Sequence, residues 1–283
     1  MQASNDHSAR LSTAAVLLLG LVFVCYANAL KAPWYFDDKI RIVNNPGVHL
    51  SELAPAALKA SMDPAGGASH SRDAFFRPVG MLSFALNWYV TPGNPMGFRL
   101  VNILIHCLTA VTLYGTVLTL MRTPAATRYD FLSPRFAALL ASALWAVHPI
   151  QIQAVTYIVQ RTTSLAAFFF ISGIYTYLIA RQARNSKKRN VYLGLCACFY
   201  LLAVGTKLNT AILPLSVLLI DILFFQDLDS ADARLKIFLK VVLAGVLALV
   251  LGLGLLWYLQ GNPLQSILGS YRGRPFSLAE RLM

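Results

Sequence analysis

Charge is scarce in this chain. Asp, Glu, Lys and Arg supply 13% of its 283 residues, and hydrophobic residues supply 57%. An ordinary soluble domain is about a quarter charged, so a conventional water-soluble enzyme is excluded. Cysteine is scarce too: Cys25, Cys107, Cys196 and Cys198 all fall inside apolar runs. That excludes a disulfide framework, and the "CAC" of 196–198 lacks the two-residue spacer of a zinc or redox motif. These cysteines read as small buried hydrophobes. The chain has no Walker loop, no G-x-G-x-x-G and no Ser–His–Asp arrangement, so soluble nucleotide chemistry is not indicated. The net charge of +12 is scattered over loops and forms no compact basic surface, so no nucleic acid partner is expected.

What the chain does have is long apolar runs: Leu11–Leu30, Leu100–Met121, Phe136–Val147, Ser164–Ala180, Val191–Gly205, Ala211–Phe225 and Ile237–Leu259. A span needs about 20 apolar residues, which predicts an all-α polytopic membrane protein with about seven transmembrane helices. Phe136–Val147 is short for a span. It must either extend into the following "HPIQIQAV" or belong to a helix partly buried in protein. The N-terminal run, with Arg10 before it and "ANA" at its end, resembles a signal peptide. Its length and the spans that follow favour an uncleaved first helix.

The short loop "RQARNSKKR" (181–189) carries five basic residues and no acidic one. Placed in the cytoplasm by the positive-inside rule, it puts the N-terminus inside and the first long loop outside. Three polar segments then share the outer face: the first loop with Asp37 and Asp38, "HPIQIQAVTYIVQR" (148–161), and "GTKLNT" (205–210). The expected organisation is a tail and first helix (1–30), an outer loop with short interfacial helices (31–95), a helical bundle (96–260) and an outer C-terminal segment (261–283), with the chain as an N-terminal portion of something longer.

The two adjacent aspartates follow an interfacial anchor, "PWYF", and precede an ordered "IRIVNNP". A carboxylate held at fixed depth there can act as a general base toward a hydroxyl, or ligate a divalent cation. A solvated helix cap is the plainer alternative. Arg77 stands before Pro78 at the start of a 16-residue apolar stretch, where a phosphate can meet free N–H groups. On one continuous helix, Gln153, Tyr157 and Arg161 share a face. His148 before proline reads as a structural cap, and Lys207 in a tight turn is a plausible phosphate contact. Asn102 and His106 read as glue between helices, and Asp221 as a paired acid.

"FDDKIRIVNNP", "FRPVGMLSFALNWYV…NPMGFRLVNILIHCL", "HPIQIQAVTYIVQRTTSLAAFFF" and "TKLNTAILPLSVLLIDILFF", in that order, resemble the membrane part of the GT-C type glycosyltransferases related to the transmembrane and tetratricopeptide repeat O-mannosyltransferases. The resemblance implies a polyprenyl-phosphate sugar donor, a protein or glycan acceptor, and a bacterial inner membrane with its active face periplasmic. It implies Asp37 or Asp38 as catalytic base, the other orienting the acceptor or a metal. Arg77, His148, Gln153, Arg161 and Lys207 would hold donor phosphate and sugar. No cofactor beyond the lipid-linked donor is implied with certainty, and a divalent cation would sit at the aspartate pair. Leu208 stands where the family has an acid after the lysine, and no 34-residue helical repeat is present. Both points keep a non-catalytic membrane scaffold open as an alternative. A lipid-linked sugar transporter is a further one, although its polar groups would be expected near the midplane.

Overall fold

The computed structural model describes residues 2–62, 77–128 and 133–226, with a few helical positions between 235 and 250. Most of the expected last span (237–259) and all of 261–283 lie outside the described residues. Every regular element among the described residues is helical. The α-helices are α1 (Gln2–Tyr26), α2 (Pro55–Ser61), α3 (Pro78–Val90), α4 (Pro95–Leu120), α5 (Pro134–Val147), α6 (Gln151–Thr156), α7 (Arg161–Gln182), α8 (Ser186–Thr206) and α9 (Leu213–Phe225). Five helical stretches are long and apolar enough to cross a membrane: Thr13–Lys31, Pro95–Leu120, Ile158–Gln182, Ser186–Thr206 and Leu208–Phe225. The chain is an integral membrane protein.

The starts of these helices are written locally. Proline occupies the first turn of α2, α3, α4, α5 and α9, where its missing N–H costs nothing and its fixed φ suits the helix. Asn94, Ser133 and Asn185 cap α4, α5 and α8 with side-chain oxygens that accept N–H groups of the first turn. The 14-residue α5 stops at Val147, and extended His148 separates it from α6. Of the two options for Phe136–Val147, packing against protein is the one adopted, since its Ala138 and Ala146 are enclosed by α1 and α4.

Helix α1 shows how the bundle is stitched. Ala14, Leu18, Val22 and Tyr26 recur every four residues and are buried, while Val16, Leu17, Phe23 and Val24 face outward. That stripe packs on Tyr114, Leu118, Ile103, Cys107 and Ala110 of α4. At its end the Tyr26 hydroxyl donates to the Ala146 carbonyl (3.1 Å). The Tyr26 ring meets His106 edge-on (centroids 5.4 Å apart), and His106 stacks on Trp145 (4.7 Å). Of the four cysteines, Cys107 is buried and Cys196 half-buried, but Cys25 and Cys198 are exposed. The expectation of four buried thiols therefore fails at two positions, which lie on helix faces turned away from the bundle.

The first loop is a folded layer with its own core. Ile42, Val48, Leu50, Phe84, Ala85, Phe98 and Ile158 are buried together, flanked by Trp34, Leu58, Met81 and Trp88. His49 stacks on Trp88 with centroids 3.7 Å apart, and its Nε2–H donates to the Ile42 carbonyl at 3.0 Å. This layer fixes the depth at which the aspartates sit.

Candidate functional site

The two aspartates are neighbours in sequence and opposites in environment. Asp38 is fully buried. Its Oδ1 accepts the Val159 N–H at 2.8 Å, and its Oδ2 accepts the Tyr35 N–H at 3.2 Å. Burial raises its pKa; those backbone donors and the nearby Arg99 charge oppose the rise. Asp38 is thus a bolt between the first loop and the turn before α7. Asp37 stays half-buried, and its N–H donates to the Tyr157 hydroxyl at 3.0 Å. Phe36, just before the pair, has φ +42°. A bulky residue in the left-handed region stores roughly 1–3 kcal/mol and persists only where its surroundings dictate it. Here the reversal points Asp38 inward and leaves Asp37 at the rim.

Arg99, which the sequence reading passed over, holds the approach to this turn. It is buried and donates from Nε to the Thr156 carbonyl (3.1 Å) and from its terminal nitrogens to the carbonyls of Ala32 and Pro33. The available signal was an arginine one turn into an otherwise uncharged span, which must find acceptors inside protein.

The continuous helix expected through 153–161 is not formed. Helix α6 ends at Thr156, Tyr157 is extended (φ −85°, ψ 111°), a tight turn covers Ile158–Gln160, and α7 begins at Arg161. Gln153, Tyr157 and Arg161 therefore share no face. Gln153 and His148 are exposed, and His148 Nδ1 accepts the Ile150 N–H at 3.2 Å. Arg161 is fully buried, with its donors taken by protein. Nε donates to Asn102 Oδ1 (2.7 Å), one terminal nitrogen to the Ser83 carbonyl (3.0 Å), and the other to Asn87 Oδ1 (2.6 Å) and the Phe98 carbonyl (2.8 Å). The Phe84 and Phe98 rings lie 4.9 and 5.3 Å from its guanidinium carbon. Asn102, expected as glue, also donates to the Val155 and Ile158 carbonyls (3.3 and 3.4 Å).

Two glycines bring the remaining cations together. A Cβ on Gly80 of α3 would lie 2.8 Å from Thr162 Cγ2 of α7, and one on Gly205 of α8 would lie 2.9 Å from Val79 Cγ2 of α3. Without these side chains, the starts of α3 and α7 meet the end of α8. Lys207 follows α8, and its Nζ donates to Thr163 Oγ1 (2.9 Å), which donates to Gln160 Oε1 (2.9 Å). Burial lowers the Lys207 pKa and Arg77 lowers it further; Arg77 is lowered by burial and then by Arg41. Like charges are thus gathered beside two helix N-termini, an arrangement suited to an oxyanion. The three polar segments of the sequence do meet in space, through Tyr157, Val159, Thr163 and Lys207. Among the described residues no three His, Cys, Asp or Glu side chains stand together as metal ligands.

Comparison with known proteins gives the same direction. The chain is 34% identical over 166 residues to the protein O-mannosyl-transferase TMTC1 of Mus musculus, covering 58% of this chain and 16% of that protein. It is 32% identical over 205 residues to Tmtc2 of Drosophila melanogaster, covering 70% and 20%. Over these stretches the chain is similar to protein O-mannosyl-transferases. TMTC3 of Homo sapiens matches at 28% over 190 residues, 67% of this chain and 19% of that protein. The chain thus spans about a fifth of the length of these curated relatives. No protein-family model and no solved structure matches it.

Proposed function

We propose that this chain is the membrane part of a glycosyltransferase that moves a sugar from a polyprenyl phosphate to a hydroxyl of a protein or glycan, on the non-cytoplasmic side of a bacterial inner membrane. The observation that carries the reading is that the short stretch Tyr157–Thr163 bonds a rim carboxylate residue, Asp37, at one end and the cation Lys207 at the other. The names of the relatives, O-mannosyl-transferases, support it.

Asp37 takes the proton of the acceptor hydroxyl as that oxygen forms a bond to the anomeric carbon. The bond from that carbon to the donor phosphate oxygen breaks, and polyprenyl phosphate leaves with the electron pair. The sugar is transferred with inversion. Arg77 and Lys207 meet the growing phosphate charge, and the starts of α3 and α7 add their N–H dipoles. Gln153 and His148, exposed on and just before α6, are assigned to the donor sugar. Arg161 serves as an internal strut: its donors are engaged with protein. Asp38 shapes the loop. A divalent cation at the pair would rest on Asp37 and the donor oxygens, since both Asp38 oxygens accept backbone N–H groups.

The test is sugar release from polyprenyl-phosphate donors by purified wild type, Asp37→Asn and Asp38→Asn. Asp37→Asn is expected to lose roughly 10²–10⁴-fold in turnover with its unfolding midpoint unchanged, and Asp38→Asn to lower the midpoint. Full turnover by Asp37→Asn sinks the assignment. No turnover by a stably folded wild type with any donor favours the scaffold alternative.

A further inference from the structure

Consecutive threonines open α7 and do different work. Thr162 is buried, with its methyl in the space that a side chain on Gly80 would fill. Thr163 is half-buried and is bonded on both sides: its Oγ1 accepts from Lys207 Nζ at 2.9 Å and donates to Gln160 Oε1 at 2.9 Å. A hydroxyl has a single proton. Because Gln160 takes it, a lone pair is left facing the ammonium. Gln160 is itself fixed, since its turn is pinned where Asp38 accepts the Val159 N–H and Asn102 donates to the Ile158 carbonyl.

The backbone of Lys207 is pinned as firmly. Its N–H donates to the Ala203 carbonyl at 2.9 Å, and its carbonyl accepts the Thr210 N–H at 3.1 Å and the Thr210 hydroxyl at 2.8 Å. That fixes where the side chain starts but not where a long flexible stem delivers its charge. Thr163 fixes the other end. Among the described residues no carboxylate is ion-paired with Lys207, and Asp221 is held by Arg181. The neutral partner matters. A carboxylate would hold the ammonium and neutralise it, whereas a hydroxyl holds it and leaves its charge and remaining protons for an anion.

We infer that Thr163, turned by Gln160, is the positioning residue that holds the Lys207 ammonium in place for the phosphate of a polyprenyl phosphate. This rests on the reading of Lys207 as a phosphate contact. Thr163 acts through Lys207 and does not itself meet the phosphate. Without the hydroxyl the lysine stem regains its torsional freedom and must be ordered again each time the anion binds.

The experiment measures binding of farnesyl phosphate, with farnesol as the uncharged comparison, to the full chain in lipid nanodiscs, so turnover is not required. Thr163→Val is expected to weaken farnesyl phosphate about fivefold and Lys207→Met about tenfold. The double variant should bind no more weakly than Lys207→Met alone, because nothing is left to position. Thr163→Ser should restore the affinity lost in Thr163→Val, and farnesol binding should not respond to either. Gln160→Met, which removes the acceptor and keeps the hydroxyl, should weaken farnesyl phosphate about twofold. It replaces Thr163→Val in the cycle if that variant does not fold. Losses that multiply to about fiftyfold in the double variant overturn the inference, since Thr163 would then act independently of Lys207. So does unchanged or tighter binding of farnesyl phosphate by Thr163→Val, or an equal loss with farnesol. Wild-type affinity in Lys207→Met instead removes the phosphate contact on which the inference rests.

Discussion

The two ends of α7, about 30 Å apart at 1.5 Å per residue, handle charge in opposite ways. At the far end Arg181 Nε meets Asp221 Oδ1 at 2.5 Å, and Tyr177 and Gln226 complete the carboxylate at 2.7 and 2.6 Å. Opposite charges meet there and saturate one another. At the near end burial lowers the Arg77 and Lys207 pKa values, Arg41 lowers the first further and Arg77 the second, while Asp38 is turned to backbone N–H groups. An ion pair that closes on itself is architecture. A gathering of like charges is stabilised by an anion brought against it, and on the proposed reading that anion is the donor phosphate.

The comparison is most severely tested at Arg161, a cation at the near end that is nonetheless satisfied by protein. Arg161→Met should cost about 3–5 kcal/mol of stability, because it strands Asn87, Asn102 and two carbonyls. A denaturant titration in detergent measures it. A stable variant with lost donor affinity would make Arg161 a ligand and break the distinction. Asp221→Asn should cost less, about 1–2 kcal/mol, because the Arg181 side chain is 42% exposed and partly screened. Lys207→Met should leave the unfolding midpoint level or slightly raised while increasing donor KM about tenfold. Equal losses of stability at Asp221 and Lys207 would erase the contrast.

The smallest expected effect is a pH slope. The Asp38 pKa is raised above its unfolded value of 3.8, so the folded state binds its proton more tightly. Its contribution to stability is fully present below 3.8 and is lost as pH rises through the raised value. The difference in unfolding free energy between wild type and Asp38→Asn should therefore shift in favour of wild type as pH falls through that window. A pH-independent difference would mean that burial and the opposing donors balance.

The helical membrane class was legible because apolar runs of span length need no tertiary information, and the stripe of Ala14, Leu18, Val22 and Tyr26 follows the helix period. Prolines and Asx or Ser caps likewise announced where several helices begin. The interruption at Tyr157 was not legible. Gln153, Tyr157 and Arg161 fit helical spacing, and what breaks the helix is remote: Asp38 takes the Val159 N–H, and Asn102 donates to the Val155 and Ile158 carbonyls. The aspartate pair was visible as a polar feature at a membrane exit, yet its division of labour depends on the Phe36 reversal, which sequence does not reveal. Arg161 looked like a ligand because its acceptors, at 83, 87, 98 and 102, lie about 60–80 residues upstream in the pattern of contacts.

Those acceptors all precede Arg161 in the chain, and this has a consequence for biogenesis. During synthesis from the N-terminus, α3 and α4 are complete before the arginine leaves the ribosome. The guanidinium thus enters the bilayer region with a waiting berth, and α7 can seat only after the two earlier helices have come together. A single side chain thereby imposes a sequence of insertion on the bundle.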